Sequence, residues 1–162
     1  MKLGSFLARL HELELELAED YRALGERHAA DHDVYHQCAT FAKQAEGHAR
    51  LLQPAVERYG EGGDGDDGPG FWNGRDAARR TSSEAAGRSS AGGPLLLRDL
   101  RSLFIAAEEV SITWVMAGQA AQAKRDAELL ETVRECHVEV ELQVKWFTTR
   151  IKVAAPQALV VG

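Results

Sequence analysis

Residues Gly60-Glu61-Gly62-Gly63-Asp64-Gly65-Asp66-Asp67-Gly68-Pro69-Gly70 decide how this chain is organised. They open a segment running to Gly93-Pro94 that holds ten of the fifteen glycines in the sequence. Glycine at that density resists regular structure, because each residue surrenders so much backbone freedom when fixed. Loops of this length are uncommon in compact domains unless they are functional, crossover or disordered segments. On either side glycine and proline are sparse, so the chain divides into a half before residue 60, a linker, and a half after residue 94.

The first half carries helical periodicity. Leu3, Leu7, Leu10, Leu17, Tyr21 and Leu24 recur at alternating steps of three and four, the stripe of a bundle-facing helix. Asp31 or Asp33 is the expected N-cap of a second helix, whose stripe runs Val34, Cys38, Phe41, Ala45, His48, Leu52, Ala55, Tyr59, with Pro54 expected to kink it near its end. The second half repeats the plan. Leu97, Leu100, Phe104, Ala107, Trp114 and Ala121 belong to a helix apolar around much of its circumference. After a polar turn within 119–126 come Leu130, Val133, His137, Val140, Val144, Phe147 and Ile151. Helices are therefore expected at about 3–27, 32–59, 95–121 and 126–153. Two helical hairpins with a long connection make an all-α four-helix bundle with one crossover. The crossover must span about 40 Å for helices of that length, which some thirty residues at ~3.3 Å each reach easily.

Composition narrows the function classes. A chain of 162 residues, 44% hydrophobic and 27% charged, forms one domain with a core of its own. No apolar run approaches a membrane span, and Arg9 interrupts any signal-peptide core. A net charge of −6 without a basic tail argues against nucleic acid as a partner. Two cysteines make no disulfide framework, so a cytoplasmic setting with two free buried thiols is expected. Asp64 to Gly68 lacks the spacing and terminal glutamate of a calcium loop. Arg75, Arg79, Arg80 and Arg88 make a basic stretch beside Phe71-Trp72, which could anchor the linker to the bundle. His28, His32 and His36 are read as turn residues rather than a metal site.

Polar residues that interrupt the stripes are the candidates for chemistry. Glu14 lies between Leu10 and Leu17, His48 between Ala45 and Leu52, and His137 between Val133 and Val140. Glu108 is flanked by Phe104, Ile105, Ile112 and Val115. Each helix would thus turn one possible metal ligand inward. Counting from the turns sets Glu14 opposite His48 and Glu108 opposite His137, at similar depth, on the order of 22–26 Å from their turns.

Glu14-Leu15-Glu16-Leu17-Ala18-Glu19-Asp20-Tyr21, followed by Phe41-Ala42-Lys43-Gln44-Ala45-Glu46-Gly47-His48, resembles the first hairpin of the rubrerythrin-type ferritin-like family. The resemblance covers 6–59 well and 95–153 less well. It implies a di-iron centre built from a Glu on each of two helices and a Glu-x-x-His on each of the others, with Glu14, His48, Glu108 and His137 as the matching ligands. Positions 45 and 134 should then be bridging glutamates, yet they hold Ala45 and Arg134. Three arrangements stay open: Arg134 turns inward and replaces the metal against Glu14 or Glu108; the four residues hold a single iron, zinc or manganese ion; or some of them are ordinary interfacial residues. The functional expectation is a non-enzymatic binding, scaffold or accessory protein without a cofactor or catalytic residues, and a homodimer. The alternatives are a metalloprotein with oxidoreductase or metal-storage activity and a DNA-protecting assembly.

Overall fold

The computed structural model describes residues 2–60, 72 and 92–161, and all of its regular structure is helical. Four helices run over Leu3–Arg27 (α1), His32–Gly60 (α2), Gly92–Lys124 (α3) and Ala127–Pro156 (α4), and Gln157–Val161 continues α4 as a short π-helical turn. The calcium-like stretch from Asp64 and the basic stretch from Arg75 to Arg88 lie outside the described residues. Among the described helices none is long and apolar enough to cross a membrane.

Local chemistry sets the helix ends. The Asp31 carboxylate accepts the Val34 N–H at 3.2 Å and caps α2. Pro54 does not break that helix, which continues to Gly60. The expected turn within 119–126 contracts to two residues: α3 runs on to Lys124, and the chain reverses through Arg125 at φ 56°. Arg125 N–H bonds to Gln122 C=O and Asp126 N–H to Ala121 C=O, the paired bonds of a Schellman ending. Glycine is the usual residue at that left-handed position, so the sequence carries no glycine signal there. Asp126 then caps α4 by accepting the Leu129 N–H at 3.0 Å.

Each helix packs along two others, α1 against α2 and α3, and α4 against α2 and α3. Glu14 meets His48, and Ser111 meets His137, so both sequence-adjacent pairs run antiparallel. Trp114 meets Glu14 while Asp99 meets His28, which sets α3 antiparallel to α1. Gln44 meets Gln143 and Arg58 meets Asp126, which does the same for α2 and α4. Consequently α2 ends beside the α3–α4 turn and α3 begins beside the α1–α2 turn, at opposite ends of the bundle. At the start of α1 the backbones come so close that a Cβ on Gly4 would lie 2.3 Å from the Tyr59 carbonyl oxygen. Only glycine fits there.

The core follows the expected stripes on α1 and α2: Leu7, Leu10, Leu17, Tyr21, Leu24, Val34, Cys38, Phe41, Ala45 and Leu52 are all buried. On α3 the buried face is Leu100, Leu103, Ala107, Val110, Trp114, Ala117 and Ala121, whereas Ile105, Ile112 and Val115 are exposed. On α4 the face is centred on Leu129, Val133, Cys136, Val140, Gln143 and Phe147, rotated from the expected line through His137 and Val144. Small residues fix that choice: at Gly118 even a Cβ would press to 3.2 Å from Val133. Trp72, the described residue between α2 and α3, rests its ring against Phe6 at 5.6 Å.

Cys38 and Cys136 are buried and free, as expected from the sequence. Burial pushes the Cys38 thiol up to about 12, and burial together with the charges of Glu14, Glu135 and Glu139 pushes Cys136 up as well. Neither presents thiolate at neutral pH. A thiol-specific reagent at pH 8 should therefore label neither cysteine in the native protein and both after denaturation; fast native labelling of either would contradict this packing.

Candidate functional site

The middle of the bundle is polar where helices α1, α2 and α3 meet. Glu14 is 0% exposed and His48 1% exposed, each following from its place on a clean apolar stripe. His48 Nδ1–H donates to Glu14 Oε1 at 3.1 Å, and Trp114 Nε1–H donates to the same oxygen at 2.6 Å. The Trp114 ring stands edge-on to His48, with centroids 6.4 Å apart at 86°. An imidazole that donates from Nδ1 directs its Nε2 elsewhere, here toward Glu139 Oε2 at 3.8 Å, beyond hydrogen-bond range. Two buried atoms, Glu14 Oε2 and His48 Nε2, have no hydrogen-bond partner among the described residues.

About two turns along α1, a second polar relay crosses the core. Tyr21 O–H donates to Gln143 Oε1 at 2.8 Å, and Gln143 Nε2 donates to Gln44 Oε1 at 3.0 Å. Tyr21 also stacks on Phe147 at 5.7 Å, with Phe41 and Trp146 closing the aromatic group. The two polar layers together tie all four helices, and their hydrogen bonds favour one packing register.

The sequence-derived ligands divide. Glu14 and His48 meet as expected. Glu108 does not join them: it is exposed, on the same outward flank of α3 as Ile105 and Ile112. His137 is half-buried and shares a 3.1 Å hydrogen bond with Ser111 Oγ. That contact puts the midpoint of the second hairpin at residue 124, so Glu108 lies a turn away from His137's level. Arg134 also departs from expectation. Its side chain is 67% exposed and lies 3.8 Å from Glu131, so it does not enter the core to replace a metal. Buried on α3 instead is Trp114, whose indole N–H occupies Glu14 Oε1.

A di-iron centre of the kind that the resemblance implies needs four carboxylates and two histidines. The interior supplies Glu14 and His48, with Ala45 at one bridging position and Arg134 facing solvent at the other. Among the described residues no group of three or more His, Cys, Asp or Glu converges on a common point. Two irons do not fit this set.

Trp114, Tyr21 and Gln143 are polar partners that sequence reasoning misses. Trp114 and Tyr21 stand on the apolar stripes, and their only signal is a donor group that burial obliges to find an acceptor. Comparison of the chain with models of protein families, with curated proteins and with solved structures finds no match.

Proposed function

We propose that this chain is a ferritin-like four-helix bundle that has lost the family's di-iron centre and acts as a binding, scaffold or accessory protein rather than an enzyme. The observation that carries this reading is Trp114 donating to Glu14 from the helix that should supply the second ligand glutamate, while Glu108 on that helix faces outward. The direction of the helices supports the ferritin-like assignment. α1 and α4 run one way and α2 and α3 the other, so α2 ends and α3 begins at opposite ends of the bundle, as a crossover connection requires. Ferritin-like folds are four-helix bundles with one such crossover.

Adding ferrous iron anaerobically and then admitting oxygen should give no stoichiometric uptake, no oxygen-dependent near-ultraviolet absorbance and no ferroxidase turnover. Uptake of two irons per chain with that absorbance would overturn the proposal. A second reading, a single iron, zinc or manganese ion at His48 Nε2, is favoured by that buried atom having no hydrogen-bond partner among the described residues and by Glu139 Oε2 lying 3.8 Å from it. On that reading His48→Ala abolishes binding of one divalent ion per chain and leaves the helices intact.

A further inference from the structure

The outward face of α4 has an order that burial within the bundle does not explain. Glu128, Glu131, Glu135, Val138, Leu142, Lys145, Thr149 and Lys152 recur at alternating three- and four-residue steps, and all eight are exposed. Val138 is 53% exposed and Leu142 58%. The line is thus acidic toward the start of the helix, apolar in the middle and basic toward the end. Within the chain, Glu131 lies 3.8 Å from Arg134 and Glu128 lies 3.3 Å from Arg58, both pairs on the surface. Such exposed pairs hold their partners weakly.

We propose that this face of α4 is a self-association surface, pairing antiparallel with α4 of a second copy of this chain. Spacing of this kind is the seam of a two-helix coiled contact. A two-fold axis at the level of Val140 sets Val138 against Leu142 of the partner subunit. The same axis sets Glu135 against Lys145 of the partner subunit and Glu128 against Lys152 of the partner subunit. A parallel arrangement would bring Glu135 onto Glu135 of the partner subunit, so the charge order selects the antiparallel, closed dimer. The seam from residue 128 to 152 is about 36 Å long. At the same height, α3 exposes Ile105 and Ile112, which offer the partner a second apolar ridge.

Sedimentation velocity of the whole chain over a micromolar concentration series tests this. The wild type should be dimeric, and Leu142→Glu should weaken the dimer about a hundredfold while circular dichroism remains helical. Glu135→Lys and Lys145→Glu should each weaken self-association about tenfold. Mixing those two single variants should restore a dimer, because both repulsive pairs become attractive in the mixed species. A monomeric wild type, a dimer indifferent to Leu142→Glu, or weakened single variants that do not associate on mixing would each overturn the proposal.

Discussion

Trp114→Ala should destabilise the protein by about 5 kcal/mol, at the top of the range for truncating a buried aromatic side chain. The indole is fully buried between α1 and α3, so its removal leaves a cavity lined by groups that cannot close over it. It also strips Glu14 of its shortest hydrogen bond, leaving a buried carboxylate to His48 alone. In a domain of this length the melting temperature should fall by roughly 10–20 °C. Trp114→Phe separates the two contributions. It keeps most of the volume and loses the donor, so it should cost about 1–3 kcal/mol. A Trp114→Phe variant as stable as the wild type, measured by urea titration, would show that the hydrogen bond to Glu14 carries nothing separate from packing.

Asp99→Ala should cost about 3 kcal/mol, because the substitution removes the anion that holds two arginines and a histidine where α3 meets the α1–α2 turn. The Asp99 carboxylate, its side chain 7% exposed, accepts from Arg27 at 2.7 Å, from His28 at 2.8 Å and from Arg98 at 3.0 Å. Burial alone would push this carboxyl up; the hydrogen bonds from His28, Arg27 and Arg98 outweigh it and hold the carboxyl below its ordinary value. A native value lower than the unfolded one means stability that is fully present above about pH 4. That contribution disappears as pH falls through the lowered native value. The stability gap between wild type and Asp99→Asn should therefore be constant from neutrality to about pH 5 and shrink in stronger acid. A gap that instead widened below about pH 4 would contradict the assigned partners.

How much of this was legible in the sequence differs between the two halves. Helices α1 and α2 have polar outer faces, so their apolar stripes point in one direction, and Glu14 and His48 stand out on them. Counting from a turn marked by Asp31 then brings the pair together. Helix α3 is apolar on several faces, so periodicity alone offers Ile105, Ile112 and Val115 as well as Leu103, Val110 and Ala117. The flat face made by Ala106, Ala107, Ala117 and Gly118 decides between them, and Glu108 goes outward with the rejected set. The α3–α4 turn hides behind an arginine in a position glycine usually fills, and the count from it slips by about half a turn. Arg134, placed inside by the motif, falls on the outer side of an α4 stripe centred on Cys136 and Gln143. Asp99 gives no sign in the sequence, because two of its three partners, Arg27 and His28, come from the end of α1, about seventy residues away.

Glu14, at the centre of the bundle, is engaged by the side chains of His48 and Trp114, and the functional reading stands or falls with that. Diffraction data collected at the iron, zinc and manganese edges from crystals of freshly purified protein test it. An indole nitrogen at hydrogen-bond distance from Glu14, with no anomalous peak in the interior, is the expected outcome; two peaks about 3.5–4 Å apart beside Glu14 and His48 would refute it.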